Sequence, residues 1–328
     1  MWTLLLSIAL FGCGGIPRVK VQYGPATTLP LVRPSTDPQR WYVALDSPEL
    51  GERLFFLDSG YSISTCDDDF ATALELRTHG RVLVRGEAGS LHAKRSQLPP
   101  FHFGGHQVDA FACLVRDLGS TSSIADPPEV PVAGVLGADF LRKFHVILDP
   151  SRAELTLAAP RRSTLNAQDP GVVPLRREYW VGTRFTVPIH LDGKRTRPVV
   201  DTGATHTHVD GHRLALKPEG PPRTITVRGS GTTGRARRVV LVFKVERLIL
   251  GNEQPGPFLL RDRPAGPGVA GLLGLDIIGN LRQEYDFKKR LARFSSIDGA
   301  TVPTWAAWRA RPTAKIPPNE ALEAADRP

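Results

Sequence analysis

An internal repeat constrains the fold of this chain more than any other feature of its 328 residues. The sequence Phe-Leu-Asp-Ser-Gly ends at Gly60, and the sequence Val-Val-Asp-Thr-Gly ends at Gly203. Each copy follows a polar turn, a pattern typical of the second strand of a hairpin that ends in a loop. A motif that recurs at a long interval indicates that one structural unit occurs twice in the chain.

A second motif supports the repeat. Residues 134–141 read GVLGADFL, and residues 271–278 read GLLGLDII. The Asp of the first motif and the central Gly of the second are 79 residues apart in one copy and 73 in the other. The second motif itself contains an acid, Asp139 or Asp276, and a further acid, Asp149 or Asp286, follows ten residues later in each copy. Because one or two loop insertions absorb the difference in spacing, we interpret the two copies as two lobes of one ancestor.

Glycines flanked by β-prone residues lie between the two motifs of each copy. Gly86 and Gly89 occupy this position in the first copy, and Gly229 and Gly231 occupy it in the second. Gly tolerates backbone conformations that other residues avoid, so it suits a hairpin tip that can move. We therefore expect these four glycines to belong to two flaps.

An acidic run, residues 67–69, precedes the apolar stretch that begins at Phe70. An Asp side chain accepts hydrogen bonds from the unpaired amides at a helix start, and acids suit that end of the helix dipole. The run therefore predicts a capped short helix in preference to a metal site.

Composition indicates a mainly β chain. The 31 Gly and 29 Pro are scattered among short apolar runs, and long stretches with helical periodicity are scarce. The formal charge of +9 is compatible with an anionic binding partner such as nucleic acid. The densest basic cluster, residues 235–238, lacks interleaved aromatic side chains, so we expect a solvated basic surface and no nucleic-acid partner.

The N-terminus predicts export. Residues 2–12 are mostly apolar and uncharged, too short to span a bilayer but suited to a secretion signal. They end in Leu-Phe-Gly before Cys13, which resembles the lipobox of bacterial lipoproteins and implies Cys13 as the lipid anchor. An ordinary secretory signal is the alternative. The resemblance places the chain in the bacterial cell envelope, facing the periplasm, and Gly14 after the anchor favours the outer membrane.

Two further cysteines, Cys66 and Cys113, remain after the anchor. An even pair in an exported chain permits a disulfide, since the compartment is oxidising. Two separate buried thiols that behave as small apolar residues are the alternative. The sequence leaves both open.

The order of an apolar strand, Asp-Ser/Thr-Gly, a flap hairpin and an apolar-apolar-Gly motif resembles the retropepsin-like aspartic proteases over about residues 40–297. The resemblance implies an all-β, bilobal acid-protease fold with short helices. It implies Asp58 and Asp201 as the catalytic pair, with the hydroxyls of Ser59 and Thr202 tying the two loops together. Both lobes lie in one chain, as in pepsin-like enzymes, so a monomer with pseudo-twofold lobes is expected.

Two carboxyl groups that share one proton can hydrolyse a peptide bond without a cofactor or metal. One takes a proton from water while the other donates a proton to the carbonyl oxygen. At about 3 Å the two like charges cannot both ionise, and the aspartic-protease pair is the standard illustration of this rule. Gly60 and Gly203 let the loops turn tightly and approach. We expect an aspartic endopeptidase whose partner is a polypeptide substrate.

The domain bounds follow from this reading. Residues 1–13 are the signal and anchor, 18–160 the first lobe, 161–177 a Pro-rich and charged linker, and 178–300 the second lobe. Residues 301–328 form a Pro- and Ala-rich tail.

Two features favour other functions. Tyr61 follows the first Asp-Ser-Gly where the family has a small residue, so a protease-fold lipoprotein that binds peptides without turnover is the alternative. Separately, His206, His208 and His212 with Asp210 nearly spell a zinc-hydrolase motif, but Gly211 spoils its spacing. We expect no metal site there.

Overall fold

The computed structural model describes residues 19–33, 40–86, 89–118, 132–177, 184–228, 235–253, 257–262, 270–299, 302–303 and 307. These residues form 27 strands and three short helices, which confirms the all-β prediction. None of the helices in the described ranges is long and apolar enough to cross a bilayer.

The first half of the chain contains twelve strands and two helices. Its strands are β1 Lys20–Gln22, β2 Thr27–Val32, β3 Tyr42–Ser47, β4 Gly51–Leu57, β5 Thr65–Asp67, β6 His79–Gly86, β7 Gly89–Leu98, β8 Phe101–Phe103, β9 His106–Arg116, β10 Val132–Leu136, β11 His145–Asp149 and β12 Glu154–Ala158. Its helices are α1 Asp68–Ala73 and α2 Ala138–Leu141.

The second half contains the remaining elements, after a 3-10 turn at Pro160–Arg162. Its strands are β13 Val172–Pro174, β14 Arg176–Arg177, β15 Phe185–Thr186, β16 Ile189–Leu191, β17 Lys194–Thr196, β18 Val199–Val200, β19 His208–Val209, β20 Arg223–Arg228, β21 Arg235–Val240, β22 Val242–Val245, β23 Leu248–Ile249, β24 Phe258–Asp262, β25 Gly271–Leu273, β26 Leu281–Asp286 and β27 Leu291–Ser296. The helix α3 is Leu275–Ile278.

The strands next to the two Asp motifs pair in the same way in both halves. In the first half, β4 runs parallel to β10, β10 antiparallel to β5, and β5 parallel to β9. In the second half, β18 runs parallel to β25, β25 antiparallel to β19, and β19 parallel to β24. The repeat seen in the sequence is therefore a repeat of strand topology.

One sheet joins the two halves. Its strands run in the order β13-β27-β26-β11-β12-β2, with β11 from the first half antiparallel to β26 from the second. On these two strands, His145 Nε2 lies 2.9 Å from Glu284 Oε1, and both side chains are buried. This contact to the imidazole is the main cause that lowers the pKa of Glu284. The segment predicted to link the lobes is itself structured, because β13 lies within it and pairs with β27.

Aromatic rings fill much of the first half's core. Phe103, Phe111 and Phe144 each lie 5.0–5.5 Å, centroid to centroid, from the ring of Phe140 on α2. Rings at these distances add to the stabilisation that comes from removing apolar area from water. The helix α2, which forms the end of the second motif, is thus packed against the sheet.

Cys66 on β5 and Cys113 on β9 form a disulfide, with their Cα atoms 5.7 Å apart. Of the two alternatives left open by the sequence, the structure has the bonded one. The bond closes a loop with a sequence separation of 47 residues, so the chain-entropy estimate of its stabilisation is about 4 kcal/mol.

The acidic run starts a helix, as predicted. Asp67 is the N-cap of α1, and its side chain accepts a hydrogen bond from the amide of Asp69. Its other oxygen accepts from the amide of Leu118. Asp67 therefore joins the helix start to the end of β9.

The tail begins in contact with the first half, where Val302 is buried and Pro303 O accepts a hydrogen bond from Arg33 N at 2.9 Å. Trp305 and Trp308 lie outside the described residues, as do Cys13, Gly229 and Gly231. The lipid anchor and the tip of the second flap therefore stay predictions.

Candidate active site

The two Asp-Ser/Thr-Gly loops meet and are tied by four hydrogen bonds. Ser59 N donates to Thr202 Oγ1 at 3.0 Å, and Thr202 N donates to Ser59 Oγ at 3.1 Å. The two hydroxyls donate onward, Ser59 to Val200 O at 2.9 Å and Thr202 to Leu57 O at 3.0 Å. Each hydroxyl accepts from an amide of the opposite loop and donates to a carbonyl of the strand that leads into that loop. The contact therefore has approximate twofold symmetry.

Each glycine of the motif lies against the carboxyl group of the opposite loop. A Cβ placed on Gly60 would lie 2.2 Å from Asp201 Cγ, and one on Gly203 would lie 2.2 Å from Asp58 Cγ. Neither glycine has a positive φ. The sequence predicted a need for tight turning, but the structure gives close approach of the two loops as the reason for glycine.

The two carboxyl groups interact directly. Burial raises the pKa of Asp58 well above its ordinary value, and the neighbouring Asp201 raises it further by charge repulsion and by a side-chain hydrogen bond. A hydrogen bond from the amide of Gly60 and the positive charge of Arg184 act in the opposite direction. Two like charges at this separation therefore disfavour ionisation of both carboxyl groups at once.

The surroundings of the two carboxyl groups differ. Asp201 Oδ1 accepts hydrogen bonds from the amides of Gly203 and Ala204, each at 3.0 Å. Asp58 Oδ1 is buried and has no hydrogen-bond partner among the described residues. Amide donors favour the ionised form of a carboxyl group, whereas burial favours the neutral form. Burial therefore raises the pKa of Asp58, whereas two amide donors favour the ionised form of Asp201.

A second network lies beneath each Asp loop, and the sequence did not predict its role. Asp139 Oδ1 accepts from the amide of Ser64 at 2.9 Å and from its hydroxyl at 2.7 Å. The carboxylate of Asp276 accepts in the same way from the amide and hydroxyl of Thr207, at 2.9 and 2.7 Å.

Each of these two hydroxyls also accepts a hydrogen bond from the backbone amide of the central glycine in the second motif of its own half. Gly137 N donates to Ser64 Oγ at 3.0 Å, and Gly274 N donates to Thr207 Oγ1 at 2.9 Å. The apolar-apolar-Gly motif is thereby fixed below the loop that carries Asp58 or Asp201. The signal was present in the sequence, because Ser64 and Thr207 each follow six residues after their Asp.

The two later acids of the repeat are turn residues. Asp149 Oδ1 accepts hydrogen bonds from the amides of Ser151 and Arg152, and Asp286 Oδ1 accepts from the amide of Lys289. Each caps the turn after β11 or β26. Their regular spacing therefore reflects a repeated turn and not a second reactive site.

Tyr61 packs under the first flap hairpin. Its ring contacts the small apolar cluster of Val84, Ala93 and Leu114, on β6, β7 and β9. It also packs against the cluster that contains Phe56 and Val135. The phenol is therefore held inside the first half, next to the Asp58 loop. Gly86 and Gly89 face each other at the end of this hairpin, as the flap prediction requires.

The histidines do not form a metal centre with neighbouring acids in the described part of the chain. Among the described residues, one group of three or more His, Cys, Asp or Glu has its possible ligand atoms within 4.8 Å of one another. It consists of Asp67, Asp68 and Asp69 at the start of α1. His208 is buried on β19, while His212 is exposed and lies 4.0 Å from Asp262.

The strand topology and the two paired loops identify the fold as the acid-protease fold. The crystal structure of basic 7S globulin from soybean matches with a TM-score of 0.50 and 11% identity, over 83% of this chain and 95% of that chain. At this identity the likeness shows the fold alone.

Residues 51–140 match the family model described as aspartyl protease. The matched range contains Asp58 and the first apolar-apolar-Gly motif. No curated protein sequence matches the chain.

Proposed function

We propose that the chain is an aspartic endopeptidase. The observation that carries the proposal is the contact of two carboxyl groups across two loops locked by the Ser59–Thr202 hydrogen bonds. No third group is needed for the chemistry, because one carboxylate and one carboxylic acid supply the base and the acid.

In the proposed reaction Asp201 is the base and Asp58 the acid. The carboxylate of Asp201 takes a proton from a water molecule, whose oxygen attacks the carbonyl carbon of the peptide bond. The carboxyl proton of Asp58 passes to the carbonyl oxygen, giving a tetrahedral diol. The proton held by Asp201 then passes to the amide nitrogen and the carbon–nitrogen bond breaks, while one hydroxyl of the diol gives its proton to Asp58 as the new carboxyl group forms.

The test is turnover of a denatured protein mixture by the wild type and by Asp58→Asn and Asp201→Asn. Each variant should fold, and its turnover rate should fall by a factor of about 10² to 10⁴. The double variant should be only slightly slower than either single variant. Asp109→Asn is the matched control, since Asp109 pairs with Gln22 far along the chain from both motifs. An Asp58→Asn protein with wild-type activity would refute the proposal.

A peptide-binding protein without turnover is the second candidate. The observation in its favour is that Asp201 is only 8% exposed, so in this conformation water reaches the carboxyl group of the second loop poorly. If the wild type is inert and Tyr61→Ala gains activity, this candidate is correct.

We also propose that the chain is exported and held at the periplasmic face of a bacterial membrane by a lipid on Cys13. The support is the apolar N-terminal segment that ends at this cysteine. The disulfide is consistent with export, because such bonds persist in oxidising compartments.

A further inference from the structure

A buried arginine lies under the first flap hairpin. Arg116, the last residue of β9, is 6% exposed, and none of its three guanidinium nitrogens has a hydrogen-bond partner among the described residues. A guanidinium stays charged at all ordinary pH values. A buried charge without a partner is strongly unfavourable, so the side chain needs a functional reason to be there.

Two buried hydroxyls near Arg116 face each other. The guanidinium carbon lies 5.9 Å from the ring centre of Tyr61, whose hydroxyl faces that of Thr65. Burial raises the pKa of the Tyr61 phenol, whereas the charge of Arg116 and the Thr65 hydroxyl lower it. Thr65 pairs with Leu114 across β5 and β9, two residues before Arg116. We name Tyr61, Thr65 and Arg116 the Arg116 cluster.

The cluster adjoins the carboxyl pair. The amide of Tyr61 donates to Asp58 O at 3.1 Å. Tyr61 thus links the Asp58 loop to the Arg116 guanidinium beneath β6 and β7. A peptide between this hairpin and the carboxyl pair would replace the hairpin's contacts with Tyr61 and meet Arg116.

We infer that the Arg116 cluster is a substrate subsite for an acidic side chain, Asp or Glu. The planar guanidinium matches a carboxylate, with two parallel N–H donors for its two oxygens. The hydroxyls of Tyr61 and Thr65 supply further donors to the same group. This inference rests on the proposed function, because it assigns the substrate class of the same cleft.

The corresponding hairpin of the second half carries charge of the same sign. Residues 221–240, which contain β20 and β21, include five Arg and no Asp or Glu. This stretch accounts for more than half of the formal net charge of +9. Arg237 and Arg238 are exposed on β21. A field of this sign raises the local concentration of acidic polypeptides, which is the substrate class that the subsite requires.

The experiment compares pairs of peptides that differ by Glu or Gln at one position within four residues of the cleaved bond. The wild type should prefer Glu at one position by about tenfold or more in kcat/KM, because a buried charged pair replaces an unpaired charge. Arg116→Met should abolish this preference, and Arg116→Lys should keep part of it. Arg53→Met is the matched control, since Arg53 lies 5.8 Å over the ring of Phe70 on the same half.

Stability separates a substrate-binding role from a structural one. If Arg116 serves only the substrate, Arg116→Met removes an unpaired buried charge and the free protein should keep or gain resistance to urea. A structural arginine would give the opposite result. A Glu-to-Gln ratio near one at every position in the wild type, or a ratio unchanged by Arg116→Met, would overturn the inference.

A binding measurement keeps this test apart from that of the proposed function. Labelled octapeptides of otherwise random sequence, with Glu or Gln fixed at one position, are titrated against Asp201→Asn protein and followed by fluorescence anisotropy. Tighter binding of the Glu set, lost in the Asp201→Asn, Arg116→Met double variant, supports the subsite even if the wild type cleaves nothing. Equal binding of the two sets overturns it even if the wild type is an active protease.

Discussion

Removing the Thr202 hydroxyl should destabilise the protein far more than removing a similar buried hydroxyl nearby. Thr202 is fully buried, and its Oγ1 donates to Leu57 O and accepts from Ser59 N. Thr202→Val keeps the shape of the side chain but leaves these two backbone groups without that partner. Each buried, unsatisfied group costs about 1–3 kcal/mol, so we expect a loss of about 2–5 kcal/mol.

The same substitution at Thr65 is the control. Thr65 is also fully buried, but its Oγ1 faces the Tyr61 hydroxyl and bonds no backbone group among the described residues. Thr65→Val therefore leaves no backbone group unsatisfied and should change the free energy of unfolding by less than about 1 kcal/mol. The measurement is urea unfolding followed by tryptophan fluorescence for both variants and the wild type.

A double-mutant cycle with Ser59→Ala tests whether the two hydroxyls act together. Since each hydroxyl pairs with the backbone of the other's loop, the two losses should couple by at least about 0.5 kcal/mol. Equal free energies of unfolding for Thr202→Val and Thr65→Val, or additive losses in the cycle, would show that these hydrogen bonds do not hold the two loops together.

Three further outcomes are expected. Gly203→Ala should abolish turnover with little loss of fold, because the new Cβ would overlap the Asp58 carboxyl; activity and circular dichroism check this. Burial raises the pKa of Asp139 to about 6, so the wild type should lose stability relative to Asp139→Asn as the pH rises from about 4 to 6. Urea unfolding at pH 4 and pH 7 measures this, and a constant difference between the two proteins would contradict it. Cys13→Ser should release the protein from membranes, and recovery of a soluble wild type that retains its Met1 would contradict the anchor.

Sequence reasoning predicted the local elements of the site well because they are carried by short motifs. Two copies of an apolar strand followed by Asp-Ser/Thr-Gly identify Asp58, Asp201 and the hydroxyls beside them. The capped helix α1 followed from the acidic run, because capping depends on residues close together in the chain.

Contacts between distant strands could not be predicted in the same way. The pairing of β11 with β26 joins residues 139 positions apart at His145 and Glu284, and an apolar strand pattern does not specify its partner. The hydrogen bonds between Ser64 and Asp139 span 75 positions. Arg116 was missed for a different reason, since a basic residue at the end of a strand is normally exposed.

The repeat also separates the parts of the site by their role. The groups to which we assign the chemistry, and those that hold them, occur in both halves: the carboxyl groups, the paired hydroxyls of Ser59 and Thr202, and the acid below each loop. The groups around them differ, because Tyr61 in the first half stands where the second half has Ala204. Water activation needs two equivalent carboxyl groups, whereas a peptide has direction and presents different side chains to the two halves. Symmetric positions should therefore control rate in all substrates, and Tyr61 with its neighbour Arg116 should control which substrate is cleaved.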